Sequence, residues 1–438
     1  MEKESYYIIG IKGTGLSALA QIYHDLGYKV EGSDIKRWFK TEEPLKKRNI
    51  KINEFNSENI KEGQKIIYGG TFNNLDNPEM KRVKELNLPC LEYFEELGKL
   101  TGKFNTISVT GCHGKTTTTA FLAYVFNNIK KCNYLIGDGT GHVEKESKDF
   151  IIEACEYKRH FLNYKNKYSI ITNIDLDHVD YYKDINDVIS AYQEMVDNTE
   201  EKVIACGDFE NVRKIKSNKM VYYGFNNDND VMAKNIKKDK DKSSFDLYIY
   251  GDYINNFEIK LCGDHMILNA LAVITVCYLK KFDMLEVQKY LKKFTGAKRR
   301  FDINNINGSY IIDDYAHHPE EIKATLNAAR QKFPNKKIIA IYEGHTYSRV
   351  EKLYKDFAKE LNKADKVFIK DIEPAREKKE EYKNVTYKLI LNELNNGEYI
   401  NIEKTDKLLE YKNQVFIFMS PKGFKEYRNI LSEKLKNN

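Results

Sequence analysis

Short apolar runs rich in Ile, Val and Tyr recur along the chain and alternate with stretches whose apolar residues fall at helical spacing. The runs YYIIGI (6–11), KVEGSD (29–34), KIIYGG (65–70), TISVTG (106–111), DFIIEA (149–154) and YSIITNI (168–174) predict strands. So do KVIACGD (202–208), SYIIDDY (309–315), KIIAIYEG (337–344), DKVFIKD (365–371) and QVFIFMS (414–420). Between them, PEMKRVKELN (78–87), PEEIKATLNAARQKF (319–333) and a pair within 266–293 predict helices. Such alternation is the pattern of an α/β protein.

The pattern breaks twice. A strand and loop at 106–119 restart an α/β series after TGKFN (101–105), and FTGAKRRFD (294–302) separates the long helical pair from a fresh strand–helix series. At 438 residues the chain exceeds one ordinary core. The predicted domains are therefore 1–104, 105–302 and 303–438.

Composition narrows the function classes. The net charge of +6 arises from 71 Lys and Arg interspersed with 65 Asp and Glu, a mixed-sign surface rather than a nucleic-acid stripe. The seven cysteines are scattered and never form a CxxC pair, so neither a disulfide framework nor a zinc site is expected, and a reducing compartment fits. The apolar stretch MILNALAVITVCYL (266–279) is too short to cross a bilayer. The expectation is a cytoplasmic protein with small-molecule partners and no nucleic acid or membrane; monomer and homodimer both remain open.

The chemistry is concentrated in two glycine turns. In VTGCHGKTTTTAF (109–121), Gly111, Cys112, His113 and Gly114 lead directly into Lys115, Thr116 and Thr117. The spacing from Gly111 is shorter than the full GxxxxGK[ST], yet the working parts are kept. Backbone N–H groups of the turn and the helix start can hold phosphate oxygens. Lys115 would reach the β/γ-phosphates and the Thr116 hydroxyl would ligate Mg²⁺. A ligand-free helix cap does not explain a lysine at the positive end of a helix dipole. The earlier turn, IIGIKGTGLSALA (8–20), is weaker evidence, because any tight strand-to-helix turn favours glycine. It places Gly10, Gly13, Thr14, Gly15 and Ser17 beside Ser33 and Asp34 of the EGSD run, where a ribose or diphosphate contact would fall. With both loops filled, the chain would hold one ATP and one nucleotide-tagged substrate.

The ordered set GIKGTGLSALA with EGSD, VTGCHGKTTTT, IGDGTG (136–141), EACEYKRHFL (153–162), ITNIDLDHVDYY (171–182), GDHMILNALA (263–272), KRRFD, IDDYAHHPEEI (312–322) and HTYSR (345–349) resembles the Mur ligases of peptidoglycan synthesis nearly end to end. DDYAHHP and HTYSR resemble the alanine-adding branch. The resemblance implies three domains: a Rossmann-like N-terminal one for a UDP-sugar, a central P-loop ATPase, and a Rossmann-like C-terminal one carrying the amino-acid site. It implies ATP-dependent, ADP-forming ligation of L-alanine to the lactyl carboxylate of UDP-N-acetylmuramate through an acyl phosphate, with Mg²⁺. The alternative is a recycling ligase that adds a preformed peptide to the same sugar nucleotide.

By the same resemblance Glu153 is a magnesium ligand beside Thr116, and His178 binds a second magnesium ion, with Asp175, Asp177 and Asp180 around it. His265 and Asn269, four apart on one helical face, fall near the adenine, with Met266 where many members carry another asparagine. Arg300 reaches the phosphates, and Asp314 contacts the ATP ribose or phosphate. Tyr315, His317, His345 and Arg349 belong to the amino-acid pocket, Arg349 as a carboxylate clamp. Arg376 and Glu377 also match, without an assigned role. The chain departs from the family pattern at Lys12 in the first loop, at Cys155, where Asp is common, and in YEGHTYSR and MSPKGF (419–424).

Overall fold

The first apolar run forms β1 (Ser5–Ile9), the middle strand of a sheet completed by β2 (Lys29–Ser33), β3 (Lys51–Asn53), β4 (Gln64–Tyr68) and β5 (Cys90–Glu92). The order is β3-β2-β1-β4-β5 with every pair parallel. The glycine loop leaves β1 where the order reverses, the place at which open α/β sheets receive ligands. These strands belong to a computed structural model that describes residues 4–72, 76–375 and 377–437. Arg376 therefore lies outside the described residues.

The chain divides into two compact units. The first comprises residues 1–175, 185–232 and 271–290, the second residues 176–184, 233–270 and 291–438. The second sheet of the first unit contains β6 (Asn105–Thr110), β7 (Asn133–Ile136), β8 (Thr140–His142), β9 (Asp149–Glu153), β10 (Tyr168–Ile171), β11 (Lys202–Cys206) and β12 (Met220–Gly224). They run in the order β12-β11-β10-β6-β9-β7-β8. All are parallel neighbours except the β7–β8 pair. The second glycine loop leaves β6 between β9 and β10, again at a reversal of strand order. Ile107, Val109, Ile151, Ile152, Ile170 and Ile171 are fully buried, which accounts for the unbroken apolar runs in sequence.

β13 (Val231–Asp239) carries the chain out of the first unit, and β14 (Lys242–Ile249) and β15 (Asp252–Ile259) form an antiparallel hairpin in the second. These strands are absent from the sequence expectation. Their apolar residues alternate with Lys, Asp, Ser and Asn, one face buried and one wet, so no continuous apolar run announces them. A six-stranded sheet follows: β16 (Asp302–Ile306), β17 (Ser309–Asp314), β18 (Ile338–His345), β19 (Lys366–Glu373), β20 (Gly397–Tyr399) and β21 (Val415–Met419). Its order is β16-β17-β21-β18-β19-β20, parallel except for β16–β17. Alternate residues of these strands feed two cores: Ile312, Ala340, Tyr342 and Ile417 on one face, Ile311, Ile339, Phe416 and Phe418 on the other. The helix Pro319–Lys332 starts with proline at its first position, where no backbone donor is lost. Among the described residues, no helix is long and apolar enough to cross a membrane.

Candidate active site

Within the first unit, both glycine loops are built from inside. In the first, the Gly10 and Ile11 N–H groups donate to the Ser33 carbonyl, and the Lys12 N–H donates to the Asp34 carboxylate at 2.8 Å. The other Asp34 oxygen takes the Ile35 N–H at 2.8 Å. Asp34 is buried, and that burial raises its pKa. Gly13, Thr14, Gly15 and Ser17 open the helix Thr14–Asp25, with Gly13 as its N-cap. The Ser33 hydroxyl donates to the buried Glu79 of the helix Pro78–Glu85, tying β2 to that helix. The Ser17 hydroxyl likewise donates to the Thr41 carbonyl at 2.9 Å.

The second loop delivers Lys115 as the first residue of the helix Lys115–Ile129, directly after Gly114 in a left-handed conformation. The Lys115 ammonium folds back onto its loop, donating to the Gly111 and Cys112 carbonyls and lying 3.0 Å from the Glu156 carboxylate. Burial disfavours its charge, but Glu156, followed by other nearby acidic groups, outweighs burial and holds the pKa above that of free lysine. The loop is stiffened from β10: the His113 N–H donates to the Asn173 side chain at 2.9 Å, the Thr172 hydroxyl to the His113 carbonyl at 2.6 Å, and the Cys112 thiol meets the Asp175 backbone. Thr116 and Thr117 are buried in the first helical turn. Cys155 is pushed up to about 12 by burial and by Glu156, and stays a neutral thiol.

Glu153 ends β9 in register with Val109 of β6, and its carboxylate accepts the Gly137 N–H of the IGDGTG segment at 2.9 Å. A Cβ at Gly137 would meet that carboxylate, so any larger residue there would have to displace the Glu153 side chain. The same segment meets the first loop: the Gln21 amide donates to the Gly139 carbonyl at 2.8 Å, and Gly139 lies beside Thr14 and Thr41. Tyr93 completes the connection. Its ring lies where a Cβ on Gly15 would stand, and its hydroxyl pKa is raised by burial and by Glu153. Tyr93, Glu156 and Gln21 were not singled out from the sequence as site residues. Glu156 lies inside EACEYKRHFL without an assigned role and no motif marks Tyr93 or Gln21; all three roles arise from contacts between segments 41–118 residues apart.

A magnesium site at Thr116 and Glu153 would consist of hard oxygen donors, the set that suits this cation. Glu153 ends β9, and Thr116 stands in the helix that follows its parallel neighbour β6. The donor chemistry fits.

The second unit gathers the remaining predicted residues. Arg300 stacks over the Tyr315 ring at 4.7 Å and lies 3.8 Å from the Glu321 carboxylate. Glu321 also takes the His317 ring at 3.0 Å, and the His317 and His345 rings are 5.6 Å apart. His345 meets the Arg349 guanidinium at 3.2 Å, and Arg349 donates to the buried Asp177 at 2.6 Å. Asp177 also accepts the His178 N–H at 2.7 Å, in a turn where His178 itself has positive φ. Burial alone would raise the Asp177 pKa; Arg349 and the neighbouring histidines instead hold it well below the usual carboxylate value.

Asp314 is buried and already serves its own loop, accepting the Phe301 N–H at 2.7 Å and the Ala316 N–H at 2.8 Å. Arg299, the partner of Arg300 in sequence, lies over the same Tyr315 ring at 5.3 Å and donates to the Ser420 and Pro421 carbonyls. His265 starts the helix Asp264–Leu279, with its pKa lowered to about 4 by burial. The Asn269 amide faces the Met266 sulfur at 3.9 Å. Glu377 acquires a role, its carboxylate accepting the Ser348 N–H at 3.1 Å at the start of the helix Tyr347–Leu361. The two departures in this unit meet each other: the Ser420 hydroxyl of MSPKGF donates to the buried Glu343 of YEGHTYSR, which is paired with Lys370.

Three family models match the chain in order: "Mur ligase family, catalytic domain" over residues 5–105, "Mur ligase middle domain" over 109–277, and "Mur ligase, glutamate ligase domain" over 299–415. Among solved structures, UDP-N-acetylmuramate-alanine ligase from Thermotoga maritima is similar at 26% identity and a TM-score of 0.83, with 99% of this chain and 100% of that one covered. A murein peptide ligase from Psychrobacter arcticus shares the fold at 19% identity and a TM-score of 0.69, covering 99% of each chain. A pseudomurein peptide ligase type C from Methanothermus fervidus does so at 18% identity and a TM-score of 0.69, with 99% and 100% covered.

Proposed function

Because the chain belongs to the Mur ligase family, with its three-domain α/β architecture and ADP-forming ligase chemistry, we propose that it joins L-alanine to the lactyl carboxylate of UDP-N-acetylmuramate. The observation that carries this reading is that the segment 137–139 meets both the helix behind the first glycine loop, through Gln21, and Glu153, which lies in register with Val109 on the strand that leads into the second loop. In this reading a sugar nucleotide occupies the first loop and a triphosphate the second, which transfers its terminal phosphoryl group to the sugar's acid group. Segments 1–104, 105–302 and 303–438 divide the work into sugar-nucleotide, ATP and amino-acid binding.

A carboxylate is a poor electrophile, and its conversion to an acyl phosphate makes it attackable by an amine. The transfer brings anions together, so positioned cations carry much of the catalysis. Lys115 is pre-charged by Glu156, and an incoming phosphate exchanges one anionic partner for another without uncovering a bare buried cation. Mg²⁺, when bound, supplies further neutralisation of the transferring phosphoryl group; Thr116 and Glu153 would hold one ion, and His178 is proposed for a second. Arg300, resting on Tyr315, is the cation of the second unit assigned to the phosphates. His265 and Asn269 are assigned to the adenine and Asp314 to the ATP ribose or phosphate. Tyr315, His317, His345 and Arg349 form the amino-acid site, with the Arg349 fork as the carboxylate clamp.

Phosphate release with UDP-N-acetylmuramate, ATP and Mg²⁺ tests the proposal across L-alanine, glycine, L-serine and a preformed tripeptide. L-Alanine is expected to give the highest kcat/KM. Preference for the tripeptide replaces this reading with the peptide-recycling one, and no release with any acceptor overturns it.

A further inference from the structure

The segment after β2 is built onto the first glycine loop by a lysine inside that loop. The Lys12 ammonium is buried and spends its donors on the Ile35 carbonyl at 2.7 Å, the Arg37 carbonyl at 2.9 Å and the Glu42 carboxylate at 3.0 Å. The Thr41 hydroxyl donates back to the Lys12 carbonyl at 2.5 Å. Lys12 therefore cannot also grip a phosphate; its charge holds residues 35–42 in one conformation. What that fixed segment presents is apolar: Ile35 is 45% exposed and Trp38 50% exposed, flanked by Lys36, Arg37 and Lys40. Among the described residues few large hydrophobics are so exposed, and two of them fall within four positions here. Pinning such a surface in place lowers the ordering cost of binding a flat ligand to it.

We propose that Trp38 stacks on the uracil ring of the sugar nucleotide and acts as a specificity residue for the base. The proposal rests on the reading of the first loop as a UDP-sugar site. Three observations favour a base as occupant. The segment begins at Asp34, at the carboxyl end of β2, where a ribose contact falls in this topology. Its basic flanks complement a diphosphate. A tryptophan ring offers a nucleobase a stacking face, an interaction that substitution by alanine weakens measurably.

Trp38 is the only tryptophan in the chain, so intrinsic tryptophan fluorescence reports this position alone. The full-length protein is titrated with UDP and, separately, with inorganic pyrophosphate, while calorimetry measures binding independently of the fluorophore. UDP is expected to quench and shift the emission saturably; pyrophosphate is not. Trp38→Ala is expected to weaken UDP binding about tenfold or more, and Trp38→Phe to retain most of the affinity. Both variants are exposed-site changes, and their thermal melts check that the fold is intact. If UDP binds by calorimetry with unchanged emission, or Trp38→Ala binds UDP as the native chain does, the stacking role is overturned and the UDP-sugar reading stands. If UDP does not bind at all, both fall.

Discussion

The Lys115 ammonium lies 3.0 Å from the carboxylate of Glu156, a residue only 1% exposed at its side chain. The cation of the phosphate loop is thus neutralised before any phosphate arrives. Lys115→Ala is expected to lower the rate of phosphate release about 100-fold or more, because no other cation is built into that turn. A rate within a few-fold of the native enzyme contradicts the assignment.

Removing the other partner has a different signature. Glu156→Ala leaves a largely buried lysine without its main counter-charge, and unfolding in urea should show a loss of about 3 kcal/mol. Saturating ATP with Mg²⁺ should restore more stability to this variant than to the native chain, since phosphate replaces the missing carboxylate.

Asp177 and Arg349 form the corresponding pair of the second unit, each 8% exposed. The folded Asp177 pKa is depressed, so the pair contributes stability that is fully present above the ordinary carboxylate pKa of 3.8 and is lost as pH falls through the lowered value. Asp177→Asn should destabilise the protein at neutral pH and flatten the acid limb below about pH 4. Urea unfolding across pH reads both effects.

His265 is held neutral by burial with its pKa lowered from 6.5 to about 4. The unfolded chain binds the extra proton within that window, so stability rises with pH from 4 to 6.5 and levels off above it. His265→Gln should remove that rise, measured as the midpoint of urea unfolding at several pH values.

Glu343 and Ser420 lie in the two C-terminal segments that depart from the family pattern, and they are hydrogen-bonded to one another. A double-mutant cycle with Glu343→Gln and Ser420→Ala should return a coupling energy of about 0.5–3 kcal/mol. Strict additivity would show that the hydrogen bond between them contributes no coupling.

Much of this molecule was legible from its order of residues. The continuous apolar runs marked strands buried on both faces, and the turns at 10–15 and 111–114 marked the ends of the strands at which the sheet order reverses. The hairpin of β14 and β15 escaped, because its alternating pattern carries no long apolar run. Glu377 was visible as a match without a purpose until its carboxylate was seen at the start of the Tyr347–Leu361 helix.

The sequence by itself determined the α/β class, the two phosphate-type loops and the residue types available for chemistry, since periodicity and turn composition are local properties of the chain. Only the tertiary structure decided which charge neutralises which. Lys12 departs from the family pattern in the first loop, and only the fold shows its ammonium spent on backbone carbonyls more than twenty positions away. Arg299 and Arg300 are adjacent in sequence and both lie over the Tyr315 ring, yet Arg299 donates to the Ser420 and Pro421 carbonyls while Arg300 faces Glu321. A side chain's electrostatic partner depends on which distant segments share its dielectric surroundings, and that is set by folding rather than by spacing along the chain.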